Sequence, residues 1–243
     1  MTVTVVVVYE AVRTLSAPSP TVRPAMRPDL RAMAHLHAAA LPHGFFADLG
    51  EGFLRTYLRG FVDGPHAAAL VVEHEGAVAG FVVGPTTNDA HWGWVLRNHG
   101  VRLTVAGARA LLRRPRLLAH FLRTRSGRYA RAVLRRLRHA DGDAAGRAPT
   151  DDAEAAGPVV AVLTHVAVAD VLRGRGSGRA LVDAFVAACA AACVDEVRLV
   201  TLSQGGAGSF YTRMGWQALG ERRGADGTLV QEFRVTSEEF PSP

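Results

Sequence analysis

The sequence of 243 residues contains no lysine, and its only cysteines are Cys189 and Cys193. Two thiols four residues apart in an alanine-rich stretch make no disulfide framework; they fit a reducing compartment, as small apolar helix residues. Long apolar runs are also missing. The run Val5 to Val8 near the start falls far short of the roughly 20 residues needed to cross a bilayer, and no basic residue precedes it as a secretory signal requires. These absences exclude a spanning helix and classical export, so no membrane partner and a soluble, cytoplasmic protein are expected. A third absence is local. Between His91 and His139 there is no Asp or Glu, while 13 of the 28 arginines fall there. The formal net charge of +6 therefore divides into a strongly basic segment and a remainder with 15 arginines against 22 acids. A basic isoelectric point usually suggests nucleic acid. Here it reports one segment, its arginines have little aromatic interleaving, and no DNA- or RNA-binding motif is present, so nucleic acid is not the expected partner.

What is present is enough chain, 49% hydrophobic, to bury a sizeable core. Residues 1–20 read as a β-prone stretch and a Ser/Pro-rich connector, an N-terminal extension to one domain over 21–243. TVRPAM from Thr21 is a short strand, and Leu30, Met33, Ala34, Leu36 and Ala40 follow helical spacing up to Pro42. Gly44 to Gly52 reads as a loop or short turn. Phe53, Leu54, Tyr57, Leu58 and Phe61 mark a second helix. Ala67 to Glu73 and Ala77 to Gly84 form a hairpin around Glu75-Gly76. An Arg-rich helical insert follows over about 91–139, with one helix around Val101 to Leu112, a break at Pro115, and two amphipathic helices carrying Leu117 to Leu122 and Tyr129 to Leu137. Residues 141–158, rich in Ala, Gly and acids, read as a flexible linker. Then come a strand over Val159 to Val168, a Gly-rich turn, a helix from Ser177 to Cys193, a strand at Glu196 to Leu202, a helix near Ala207 to Met214, and strands at Trp216 to Glu221 and Thr228 to Val235.

The segment that points to chemistry is the strand ending Val166-Ala167-Val168, the turn Arg173-Gly174-Arg175-Gly176-Ser177-Gly178 and the helix that opens there. Glycines allow tight turning and close backbone approach, and the first helical turn offers unpaired N–H groups with a partial positive charge. That combination seats a pyrophosphate. No Gly-Lys-Ser/Thr follows, which excludes a Walker A loop, and Gly-x-Gly-x-Gly after several earlier strands is a poor dinucleotide fingerprint.

With these residues the sequence resembles the GNAT superfamily of acyl-CoA-dependent N-acetyltransferases. Arg173, Gly176 and Gly178 meet its signature of Arg or Gln, two residues, Gly, one residue, Gly or Ala. Downstream, Ala207, Phe210-Tyr211 and Gly215-Trp216 keep the family's second spacing, with Gln204 where Asn is usual. The hairpin Leu70 to Glu73 and Gly80 to Gly84 is a third match. The resemblance covers Thr21 to Gly84 and Val159 to Val235.

The resemblance implies an α/β (α+β) GNAT fold, a mixed twisted sheet with helices on both faces, whose fourth and fifth core strands splay apart to admit pantetheine. The Arg-rich insertion would lie between the third and fourth core strands. It also implies acetyl-CoA as co-substrate, no metal, and transfer of an acetyl or short acyl group to a primary amine by direct attack. The main chain of Val166, Ala167 and Val168 would bond the pantetheine amides. Arg173, Gly174, Arg175, Gly176, Ser177, Gly178 and Arg179 would hold the pyrophosphate, with Gln204, Ala207, Phe210 and Tyr211 completing the cofactor site. Tyr211 matches the family's general acid. The family's usual base positions register with Val162 and Thr164, neither of which can accept a proton, so Glu73 and His165 are the base candidates, with Asp89, His91 or a water chain as alternatives. Trp92 and Trp94 read as core anchors or as acceptor-site walls. The expected acceptor is a small-molecule amine, anionic or nucleotide-linked if the insert's arginines face it. Acetylation of protein N-termini or lysines, a homodimer, a silent CoA-binding regulator and a nucleic-acid binder using the insert stay open.

Overall fold

The computed structural model describes residues 21–41, 45–124, 157–204, 206–224 and 227–240. The expected N-terminal extension, the helix around Tyr129 to Leu137, the arginines beyond it and nearly all of the linker lie outside these residues.

Strand β1 (Thr21–Pro24) pairs antiparallel with β2 (Ala67–His74). From β1 the Arg23 guanidinium reaches both carboxylate oxygens of Asp29, at 2.7 and 3.0 Å, and Glu73 Oε1 at 2.6 Å. Asp29 also accepts the Met26 N–H at 2.7 Å, satisfying a donor just before helix α1 (Leu30–Ala40). The hydrogen-bonded guanidinium holds the Asp29 carboxyl below the usual carboxylate range. A short helix, α2 (Phe45–Asp48), occupies part of the expected loop and leads into α3 (Glu51–Asp63). Leu30, Met33 and Ala34 of α1 and Leu54, Tyr57, Leu58 and Phe61 of α3, at helical three-and-four spacing, bury against Val71, Phe81, Val83 and Ala167 of the sheet.

The hairpin is completed by β3 (Ala77–Pro85). Its turn residues Glu75 and Gly76 both have positive φ, 52° and 77°, as a two-residue turn matched to strand twist requires. Helix α4 (Asn88–Leu112) begins well before the Val101 start expected from the sequence. Its first turns bury His91, Val95 and His99 at four-residue spacing, a stripe whose two histidines mask its apolar period. Val95 packs against Gly60 of α3 so closely that a methyl there would lie 3.1 Å from Val95 Cγ2. Helix α5 (Pro115–Thr124) starts on the proline that was expected to break the run.

The strand expected as one piece over Val159 to Val168 is two, β4 (Val160–Val162) and β5 (His165–Val168). Hydrogen bonding accordingly divides the expected single sheet into two four-stranded sheets. The first runs β1-β2-β3-β5. The second runs β4-β6-β8-β7, with β6 (Glu196–Leu202), β7 (Gln217–Arg223) and β8 (Leu229–Thr236), and only its β4–β6 pair is parallel. The switch is abrupt: the Leu163 N–H donates to the Arg198 carbonyl in the second sheet, and the next N–H, of Thr164, donates to Val83 in the first, both at 2.9 Å. Helix α6 (Ser177–Ala191) covers the face opposite α1 and α3, and its Leu181, Val182 and Phe185 share one core with Val72, Val82, Leu199 and Phe233 of both sheets. Helix α7 (Ala207–Arg213) adds Tyr211 to that core.

Two glycines of β3 let the switching strand come this close. A Cβ at Gly80 would lie 2.8 Å from Val72 Cγ1 and 3.0 Å from the Ala167 carbonyl oxygen, and one at Gly84 would overlap the Val162 carbonyl, a backbone atom that cannot swing aside. Gly84→Ala is therefore expected to destabilise the protein by at least the roughly 1–3 kcal/mol typical of overpacking, measured by denaturant titration, whereas Gly76→Ala in the open turn should cost less. Equal losses at the two sites would refute the crowding account.

Candidate functional site

Strand β5 has β3 on one side and no strand on the other. The Ala169 N–H donates to Ala79 at 2.8 Å, and the Ala167 carbonyl points at Gly80. By the alternation of an antiparallel ladder, the main-chain groups of Val166 and Val168 face away from β3. Strand β6 pairs with β4 only over Glu196 to Arg198, so past Arg198 its edge diverges from β5. The two edges form a wedge that opens from the switch at Leu163-Thr164.

The Gly-rich turn lies at the mouth of this wedge. After β5 a single 3-10 turn (Asp170–Leu172) buries Leu172, and Gly174 and Gly176 then take φ values of 74° and 82°, which favour glycine. Gly176 is the N-cap of α6 and provides no side-chain cap, so the N–H groups of the first turn are left for another acceptor. Ser177, 1% exposed, has a hydroxyl with no hydrogen-bond partner. Gly178 faces the other two parts of the sequence pattern: a methyl there would sit 3.7 Å from the Phe210 ring and 3.8 Å from Val168 Cγ2. The turn, the end of β5 and α7 thus converge. This matches what an acyl-CoA would require: a strand edge with free amide groups, an anion seat at a helix N-terminus, and a cradle kept open by a missing side chain.

The arginines of the turn are exposed. Arg173 pairs with Asp170 at 2.9 Å and Arg179 with Asp183 at 3.5 Å, contacts of small energetic weight at the surface. Gln204 is exposed beyond β6, and Ala207 is half-buried at the start of α7. Tyr211 is buried beside Phe210, Trp216 and Phe233, with ring centroids 5.1 to 5.7 Å away. Burial pushes its phenol up to about 12, so it keeps its proton at neutral pH.

The base candidates are far less closely grouped. Strand alternation turns His165 to the α1 and α3 face, opposite Val166 and Val168. There its Nε2 lies 3.2 Å from the Tyr57 hydroxyl and its ring packs edge-on against His37 at 4.6 Å. Burial, and secondarily His37, push His165 down to about 3. Glu73 stands two strands from β5 in the ion pair with Arg23. Asp89 is exposed. His91 is fully buried against Phe61 and Trp92, and burial, with a smaller contribution from His66, lowers it to about 4. Trp92 packs on Tyr57 and Phe61, and Trp94 on His99. The sequence reading missed His37, Tyr57 and Phe46 around His165. The available signal was His37 at the end of the apolar stripe Leu30, Met33, Ala34.

Residues 138–237 match the family model of the acetyltransferase (GNAT) domain. The chain carries a GNAT acetyltransferase domain. Among solved structures, SsHAT is similar at 21% identity over 90% of this chain and 98% of its own, with a TM-score of 0.56. NAA60 of Arabidopsis thaliana, solved with acetyl-CoA, is similar at 13% identity over 90% and 99%, with a TM-score of 0.54. The ribosomal-protein-S18-alanine N-acetyltransferase of Escherichia coli is similar at 14% identity over 92% and 96%, with a TM-score of 0.50. At these identities the likeness is one of fold, and the GNAT fold is what the split sheet and its wedge display. No curated protein matches the sequence. Among the described residues no helix is long and apolar enough to cross a membrane.

The histidines of the GNAT domain's core set its acid stability. His91, His165 and His37 have folded pKa values below the ordinary value of 6.5, burial being the leading cause for each. The unfolded chain therefore binds protons first as pH falls. Their stabilising contribution is complete above pH 6.5, and it is lost progressively as pH drops below that. The melting temperature is expected to fall between pH 7.5 and pH 5 by several degrees, and His91→Phe should flatten that dependence. An unchanged slope in His91→Phe would remove His91 from the account.

Proposed function

We propose that this protein transfers an acetyl, or another short acyl, group from acyl-CoA to the primary amine of a small molecule by direct attack. The wedge between β5 and β6, with the Gly-rich start of α6 and Tyr211 at its mouth, carries this reading. Acetyl-CoA, when bound, supplies the acyl group activated as a thioester.

The residues divide the work by position. Val166 and Val168 present main-chain groups along the wedge to bond the pantetheine amides, with Ala167 fixing the strand to β3. The N–H groups from Gly174 to Arg179 hold the pyrophosphate, helped by the side chains of Arg173, Arg175 and Arg179 and by the Ser177 hydroxyl. Gln204, Ala207 and Phe210 line the far side. Tyr211 donates its proton to the leaving thiolate, and a phenol held protonated is suited to that step. The amine attacks as its free base. Of the two base candidates, His165 is on β5 itself, and Glu73 is already engaged by Arg23. Neither cysteine belongs to this constellation: Cys189 is buried in α6 with its thiol raised to about 12, so a covalent acyl-enzyme is not part of the reading. Acetylation of a protein N-terminus uses the same wedge, and it is the alternative to a small amine.

Selective thermal stabilisation by acetyl-CoA, against CoA, NAD and ATP, tests the binding half of the proposal, followed by an amine-library screen for thiol release. Tyr211→Phe is expected to lower turnover by about 10²-fold or more while acetyl-CoA affinity stays within a few-fold. A turnover matching the parent protein would eliminate Tyr211 as the acid, and absence of any acetyl-CoA shift would sink the transferase reading.

A further inference from the structure

The outward face of α4 has an inverted pattern. On a surface helix the solvent side is ordinarily polar, yet the centre of this one is Val101, Val105, Ala108 and Leu112, spaced four, three and four residues apart. Val101 is 80% exposed, Val105 61% and Leu112 74%, and Ala108 is exposed as well. At 1.5 Å per residue the stripe runs about 16 Å along the helix. Its borders are cationic: Arg97 lies on one flank and Arg102, Arg109 and Arg113 on the other, all exposed. The opposite side of α4 is fixed to the domain, through Val95 against Gly60 and His99 Nε2 at 3.6 Å from Asp63. The stripe is therefore a convex, anchored ridge, and no acid falls within the helix after Asp89.

We infer that this ridge docks on an anionic lipid surface, with the apolar stripe entering the headgroup boundary and the flanking arginines meeting lipid phosphates. A bilayer is the partner in which anions and an apolar layer lie side by side, and a single convex helix needs no matching groove to use it. A second copy of the chain would oppose arginine with arginine. Nucleic acid would satisfy the arginines but leave the stripe in water, and the stripe has no aromatic ring to stack on a base. The inference is independent of the transfer reaction, since α4 contributes nothing to the wedge.

The test is flotation of the full-length protein with vesicles of phosphatidylcholine alone and of phosphatidylcholine with about one third phosphatidylglycerol, at low and high salt. Partitioning on the order of tenfold stronger on the anionic vesicles is expected, weakened by salt. Two variants address the two halves of the ridge: V101S/V105S/L112S for the stripe and R102Q/R109Q/R113Q for the flank. Each should lose most of the partitioning while keeping the parent protein's melting temperature and its acetyl-CoA response, because all six side chains are exposed. Four results would overturn the inference: no partitioning on either vesicle, equal partitioning on both, undiminished partitioning in the serine variant, or a dimer in sedimentation that the serine variant dissolves.

Discussion

Everything in this structure follows from one constraint, that a single strand must satisfy two sheets. Leu163 and Thr164 are consecutive, yet their N–H groups bond to carbonyls on β6 and β3 respectively. Once committed at that step, β5 cannot also pair with β6, and the gap between them widens along the strand. A main-chain edge is thereby left open inside a domain, an arrangement that proteins ordinarily avoid because unsatisfied amide groups are costly when buried. The gap is kept from closing because the core behind it is shared: α6 packs on residues of both sheets, fixing their relation from one side.

The opposite layer has a different character. Around α1, α3 and the first half of α4, imidazoles replace aliphatic side chains in the core. His37 and His91 have both ring nitrogens without a hydrogen-bond partner, so burial keeps these rings neutral and they pack as flat, nearly apolar discs against Phe81 and Phe61. Charge is confined to the rim of this layer. Asp63 at the end of α3 accepts Arg27 and Arg59, each at 2.9 Å, and Arg23 joins Asp29 and Glu73 at the sheet edge. Ion pairs thus position the ends of helices, and uncharged rings fill between them.

Much of the fold was legible in the sequence because the relevant signals are local. The β2–β3 hairpin was announced by Glu75-Gly76, α3 by its apolar spacing, and the α6 turn by its glycines. The convergence of Gly178, Val168 and Phe210 was visible only as matched spacings, and the structure supplies the contact. What the sequence did not reveal depends on partners distant in the chain. Nothing in Val160 to Val168 marks the switch at Leu163, since its cause is the missing side chain of Gly84 across the gap. The early start of α4 was hidden because His91 and His99 count as polar until α3 covers them. His165 could be assigned to a face by alternation, but its Tyr57 and His37 neighbours come from helices more than a hundred residues earlier.

Strand β5 pairs with β3 although the chain between them runs from Pro85 to His165. Closing so long an excursion costs little more entropy than closing a short one, because the penalty grows only with the logarithm of length. The junction after β3 is thus the point at which this architecture absorbs additional sequence most cheaply. Helix α4 uses that tolerance: its first turns are tied into the domain, and the remainder is free of any obligation to the core. A surface can evolve there without disturbing the strands that meet at the switch.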